Sequence, residues 1–246
     1  MPERLVYQAY RFLWTMVDWL YPPVCGGCEE KGERWCEACN RRSQVIVPPV
    51  CPVCGQPQAE EVLCRRCRQA PPAYTALRSW AIFGNQVRNA VHRLKYKGDL
   101  GIGEVLSRPL ITGLRQYGWV VDLIVPVPLG LARLAERGYN QAALLAWPMA
   151  LALGISYRPK SLCRVRETRS QVGLKLAERQ ENVQGAFSAR REWVAGKTVL
   201  VVDDVTTSGS TLNACAAALL EAGASAVYGL TLARAAWEPA QAPVAA

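Results

Sequence analysis

Four Cys-x-x-Cys pairs in the first 70 residues constrain this chain more than any other feature: Cys25/Cys28, Cys36/Cys39, Cys51/Cys54 and Cys64/Cys67. The two-residue spacing turns both sulfurs of a pair toward one cation, and tetrahedral zinc takes four thiolates, hence two knuckles per ion. Residues 24–69 are rich in Gly, Pro and charge, with too few large apolar side chains to fold unaided. The segment therefore has capacity for up to two structural zinc ions, because a closed four-sulfur site leaves no position open for chemistry. Sequential pairing places Cys25, Cys28, Cys36 and Cys39 on one ion and Cys51, Cys54, Cys64 and Cys67 on the other. Interleaved pairing stays open, and an iron–sulfur cluster would use the same ligands. Gly26, Gly27 and Gly55 are expected where a knuckle turn needs positive φ. Cys163 and Cys215 stand alone; Cys215, among alanines, reads as a small core residue.

A secreted disulfide scaffold is the competing explanation of ten cysteines, and its context is missing. The first apolar stretch, residues 11–21, carries Asp18 and has no small-residue cleavage site. No run of eighteen apolar residues exists, so no membrane span is expected and the chain reads as cytoplasmic, with reduced thiols. Residues 3–20 form a helix with apolar Leu5, Val6, Phe12, Leu13, Met16, Val17 and Leu20, ended by Pro22-Pro23. Its polar face is poor in Lys and Arg, which favours docking on its own protein over a membrane surface. Pro71-Pro72 marks a domain boundary. The expected division is an N-terminal helix at 1–22, a double zinc ribbon at 23–70, a larger domain at 73–235 and a disordered tail at 236–246.

Beyond residue 73 the pattern alternates. Strands are expected at 79–83, 120–127, 198–202 and 226–231, and helices at 87–96, 141–153 (shaped by Pro148) and 211–222. Apolar strands joined through helices indicate an α/β fold with a parallel sheet flanked by helices.

Residues 199–211, VLVVDDVTTSGST, carry the chemistry. A buried strand runs into Asp203 and Asp204, and Thr206, Thr207, Ser208, Gly209, Ser210 and Thr211 then open a helix. In open α/β sheets ligands bind beyond the carboxyl ends of strands. A hydroxyl-rich turn at a helix N-terminus is a cradle for a phosphate monoester, and Gly209 lets the backbone come close to it. The acids would repel phosphate; they suit sugar hydroxyls or Mg²⁺. The constellation therefore reads as a clamp for ribose 5-phosphate. It is not a Walker A loop, since no Gly-Lys-Ser/Thr follows.

This stretch resembles the phosphoribosyl pyrophosphate signature of type I phosphoribosyltransferases. With the cysteine ribbons in front of it, the chain from about 20 to 235 resembles the ComF family, linked to DNA uptake in naturally transformable bacteria. Further matching patches are LKYKGD at 94–99, PVPLGLARLAERGYNQA at 126–142, TRSQVGL at 168–174 and ERQENVQGAF at 178–187. The resemblance implies a type I phosphoribosyltransferase-like domain at 73–235 and phosphoribosyl pyrophosphate, or a related ribose phosphate, as ligand with Mg²⁺. It implies ribose contacts from Asp203 and Asp204 and a 5-phosphate site at Thr206 through Thr211. Pro126-Val127-Pro128 would shape the pyrophosphate loop, and Lys95 and Arg137 would be the catalytic cations on that side. Ser208 and Ser210 stand where glycine or alanine are also common.

Formal charge is +9, of which residues 1–70 hold only +1, so anion binding falls to the remainder. Residues 158–191 carry nine Lys/Arg against three acids. Arg164, Arg166, Arg169, Lys175 and Arg179 could funnel the pyrophosphate ligand or line a groove for single-stranded DNA. A solvated face salted to Glu167, Glu178 and Glu181 explains the same pattern. Two function classes follow: a phosphoribosyltransferase with an unassigned acceptor, or a non-catalytic competence protein that senses the ligand and binds single-stranded DNA and DNA-uptake proteins.

Overall fold

The computed structural model describes residues 2–166, 178 and 182–236. In chain order it contains helix α1 (Pro2–Leu20) and the short helices α2 (Glu37–Arg42) and α3 (Arg65–Gln69). Strand β1 (Ala76–Ile82), helices α4 (Asn85–Tyr96) and α5 (Ile102–Tyr117) and strand β2 (Leu123–Pro126) follow. Next come α6 (Leu131–Arg137), α7 (Gln141–Leu153) and the strands β3 (Ser156–Tyr157), β4 (Leu162–Arg164) and β5 (Phe187–Ala189). The chain continues through α8 (Arg191–Val194), β6 (Thr198–Thr206), α9 (Ser210–Glu221) and β7 (Ala226–Arg234).

Five strands form one parallel sheet in the order β1-β7-β6-β2-β3, while β4 and β5 pair antiparallel apart from it. The apolar run of β6 is continuous because both faces are covered: Val199 and Val201 enter the core beneath α9, and Leu200 and Val202 the core beneath α4, α5 and α7. The connections from the neighbouring strands β2 and β6 therefore leave to opposite faces, α7 on one and α9 on the other. Such a divergence opens a crevice at the carboxyl ends of the two strands.

Several boundaries differ from the sequence pattern. β6 runs past the acids to Thr206, with Asp203 opposite Thr231 and Thr206 opposite Arg234, so the acids sit inside the strand's last turns of pleat. β2 starts only at Leu123; Val120 and Val121 precede it, and Val120 is exposed. No element is expected from the sequence at 102–117, where α5 buries Ile102, Leu106, Leu110, Ile111 and Leu114. Gly103, Pro109 and Gly113 interrupt its composition but not its apolar stripe.

α1 packs against α7, as docking on its own protein requires, but through the other face. Tyr7, Tyr10, Trp14 and Asp18 turn inward at spacings of three and four, and Leu5, Val6, Phe12, Leu13, Met16, Val17 and Leu20 are exposed. Polar anchors explain the choice. The Tyr7 hydroxyl donates to the buried Glu104 carboxylate at 3.1 Å, and Arg34, which lies over the Trp14 ring, binds both Asp18 and Asp99. Among the described residues no helix is long and apolar enough to cross a membrane.

The ribbons are tied to the sheet by the chain between them. Ile46 N–H donates to Trp80 O and Ile82 N–H to Gln44 O, both at 2.8 Å, so residues 44–46 cover the open edge of β1.

Candidate functional site

The eight cysteines gather in sequence as two clusters, Cys25/Cys28/Cys36/Cys39 and Cys51/Cys54/Cys64/Cys67, with all ligand sulfurs of a cluster within 4.8 Å of one another. This settles the pairing as sequential. Sγ–Sγ separations of 3.7 Å for Cys28–Cys36 and 3.6 Å for Cys54–Cys64 match the edge of a tetrahedron, about 3.8 Å for a Zn–S bond of about 2.3 Å. Cys36 and Cys64 also N-cap α2 and α3, where the backbone N–H groups of Cys39 and Cys67 reach their sulfurs at 3.4 Å. Burial would push the Cys25 and Cys51 thiols up, yet backbone N–H donors outweigh it and bring both to about 7.

The glycine expectation needs correction. Only Gly55 has positive φ; the equivalent position of the first knuckle is Glu29, at φ 65. Gly26 and Gly27 serve space instead, since a Cβ would lie 2.1 Å from Ile102 Cδ1 and 2.7 Å from Cys39 Sγ respectively.

The second centre lies at the carboxyl end of β6, where the connections from β2 and β6 diverge. Asp203 and Asp204 are buried at the end of β6. Lys95, from the last turn of α4, forms an ion pair with Asp204 Oδ2. Gln141 Nε2 donates to Asp204 Oδ1 at 3.3 Å and its Oε1 accepts from Arg137 Nη1 at 3.0 Å. The Arg137 guanidinium stacks over Tyr96, 4.8 Å from the ring centre. The structure thus brings Lys95, Arg137 and the twin acids into one network, and adds Gln141, which the sequence pattern did not single out.

The segment Arg137–Gln141 is fixed from three sides. Tyr139 donates to Leu94 O and Asn140 Nδ2 to Val127 O, both at 2.9 Å, and Asn140 Oδ1 caps α7 at Ala142 N–H. Val127 N–H in turn donates to Val202 O, so the loop after β2 is anchored beside the acids.

The two carboxyls are electrostatically unequal. Burial, reinforced by the neighbouring Asp204 charge, pushes Asp203 well above the usual carboxylate range. Burial acts on Asp204 as well, but Lys95, Asp203 and Gln141 outweigh it and hold Asp204 below that range. Lys95 is raised, since the Asp204 attraction exceeds its own burial penalty.

The loop after the acids has the expected form. Gly209 precedes α9 with φ 78, the Ser208 and Ser210 hydroxyls share a hydrogen bond of 2.7 Å, and Asn213 N–H donates to Gly209 O. Gly209, the N-cap, brings no side chain of its own to the start of α9, and the Ser208 hydroxyl accepts from Ser210 N–H at 3.4 Å; first-turn N–H groups of a helix lack intrahelical partners.

Of the basic candidates, Arg164 lies over the Phe187 ring, and Arg166 donates to the carbonyls of Asn182 at 3.1 Å and Gln184 at 2.6 Å. Arg169, Lys175 and Arg179 lie outside the described residues, as do patch 168–174 and tail residues 237–246.

Family models match both parts of the chain. A family model described as a double zinc ribbon domain matches residues 16–68, and one described as a phosphoribosyl transferase domain matches residues 110–239. The DNA utilization protein YhgH of Salmonella typhimurium is 36% identical over 202 residues, covering 78% of this chain and 86% of its own. Competence protein F of Haemophilus influenzae is 31% identical over 211 residues, covering 81% and 90%. Among solved structures, adenine phosphoribosyltransferase from Thermoanaerobacter pseudethanolicus overlaps 55% of this chain and 82% of its own at 17% identity and a TM-score of 0.37.

Proposed function

Since the chain belongs to the family of DNA utilization protein YhgH and competence protein F, a double zinc ribbon ahead of a phosphoribosyl transferase domain, we propose that it binds phosphoribosyl pyrophosphate at the Asp203–Asp204 crevice in the service of DNA uptake. The observation that carries this reading is the network at the end of β6: buried twin acids, Lys95 and the Gln141–Arg137 relay, beside a helix start whose N-cap is glycine.

In this reading the ribose hydroxyls donate to Asp203 and Asp204, and the 5-phosphate accepts from the turn Thr206–Thr211. Lys95 and Arg137 face the pyrophosphate. Asp203 and Asp204 are hard oxygen donors that would help hold Mg²⁺, which when bound offsets charge on the pyrophosphate. Turnover would form a bond from an acceptor's lone pair to the anomeric carbon, while the carbon–oxygen bond to pyrophosphate breaks and its electron pair leaves with pyrophosphate. Positioning by the clamp is a major source of rate for such a displacement.

A second reading, ligand sensing without turnover, has one observation behind it. Lys95 already occupies Asp204, so a sugar diol must exchange with the ammonium, and that exchange is a two-state element a ligand can bias. Pyrophosphate release across a panel of nucleobases and amines separates the two. Release with one acceptor establishes transfer; tight binding with no release by any acceptor favours sensing. For single-stranded DNA, the segment containing Arg164, Arg166, Arg169, Lys175 and Arg179 is the proposed surface, and affinity there should fall steeply with added salt.

A further inference from the structure

The loop after the twin acids is backed by the second zinc ribbon. A Cβ on Gly209 would lie 3.1 Å from the Tyr74 hydroxyl and 3.9 Å from Nη2 of Arg66. Arg66 belongs to the knuckle itself, between Cys64 and Cys67, on the short helix that Cys64 caps. The connection is fastened on both sides. Ala73 N–H donates to Asn213 Oδ1 in the first turn of α9 at 2.6 Å, and Leu77 N–H donates to Val53 O at 2.7 Å. Across the sheet, Arg234 stands opposite Thr206 and donates from Nη2 to the carbonyl of Cys54.

Arg234 is 3% exposed and its Nε has no hydrogen-bond partner among the described residues. A guanidinium so placed needs a counter-charge. Four thiolates on one zinc ion leave about −2 at the cluster whose carbonyl Arg234 binds. The first ribbon makes different contacts: Gly26 abuts Ala90 and Ile102, and Gly27 O accepts from Asn89, so it packs on α4 and α5.

We propose that the second zinc ribbon is part of the phosphate site: its Cys64–Cys67 knuckle presents Arg66 to the 5-phosphate of the sugar, so zinc in this cluster sets the affinity for phosphorylated ribose. The proposal rests on the reading of the crevice given above and adds a cation from outside the α/β domain. Linkage makes it reciprocal, since a metal that raises ligand affinity must itself be held more tightly when the ligand is bound.

The test uses the full zinc-loaded chain, with Mg²⁺–phosphoribosyl pyrophosphate, ribose 5-phosphate and pyrophosphate as separate probes in calorimetry. Arg66→Ala should weaken the first two at least about tenfold, as loss of a charge-assisted hydrogen bond does, and leave pyrophosphate unchanged. Arg68→Ala removes the same charge from an exposed position on α3 and should change none of them. Ribose 5-phosphate should also raise the affinity for one of the two zinc equivalents in competition with a chromogenic chelator, a readout that holds even where Arg66→Ala disturbs folding. Unchanged ribose 5-phosphate affinity in Arg66→Ala at full zinc content, or zinc affinity indifferent to the sugar phosphate, overturns the proposal alone. Failure of the wild-type chain to bind either phosphoribosyl probe overturns the crevice reading with it.

Discussion

Lys95 and Asp204 form the pair on which the crevice's charge balance turns. Removing the ammonium leaves a buried carboxylate without its counter-charge. Lys95→Met is expected to cost about 2–3 kcal/mol at pH 7, less than for a fully buried pair because the Lys95 side chain is 23% exposed. The sign with pH follows from the directions of the shifts. Asp204 is held below its ordinary value, so the pair's stabilisation is present above the carboxylate range and is lost as pH falls through the lowered folded value. The raised Lys95 keeps its side of the pair up to its unfolded value, about 10.4, and loses it as pH rises through the folded one. Urea unfolding should therefore show the Lys95→Met deficit in full at pH 7 and shrinking as the pH is lowered below the carboxylate range, and a deficit unchanged by acid would refute the pairing. Gly209 gives a second prediction at this scale. Gly209→Ala meets both a left-handed backbone and the Tyr74 hydroxyl, whereas Gly118→Ala meets only the backbone at φ 65, with nothing within 4 Å. Both should lose about 1–2 kcal/mol from the backbone, and Gly209→Ala measurably more than Gly118→Ala; equal losses would mean that Tyr74 does not press on the loop.

The elements show what the sequence exposed and what it hid. The cysteine knuckles and the run from Val199 to Thr211 were legible because their chemistry is local: ligand spacing, a strand end, a turn of small polar residues. Gln141 and Arg234 were not, because their partners lie 63 and 180 residues away, and nothing in a lone Gln or Arg announces a buried acceptor. The stripe of α5 is continuous but hidden in a composition that includes Gly and Pro, and α1 docks by its hydrogen-bonding face, against the rule that the apolar side goes inward. Conformation at the knuckles obeyed geometry more than residue type, since Glu29 and Gly55 adopt the same left-handed turn. The two clusters also differ in access. Cys28 is exposed and Cys36 half-buried, while all four sulfur residues of the second cluster are buried. Zinc release to excess chelator should be biphasic, the first ribbon emptying faster, and Cys28→Ser should abolish only the fast phase. A single phase for both ions would contradict this difference in burial.

For the molecule as a whole, the ribbons and the α/β domain act as one structure. Residues 44–46 close the edge of β1, the first ribbon braces α4, and the second braces the loop before α9. Lys95 lies on α4, and Gly209 stands at the start of α9. The central claim remains that the twin acids and the turn after them grip a phosphorylated ribose. Calorimetric titration of Mg²⁺–phosphoribosyl pyrophosphate into the wild-type chain and into Asp203→Asn/Asp204→Asn tests it most directly. The account predicts saturable binding to the wild type, weakened at least about a hundredfold in the double variant as two charge-assisted contacts are lost. Equal affinity of the two proteins, with the variant folded and carrying both zinc ions, would contradict it.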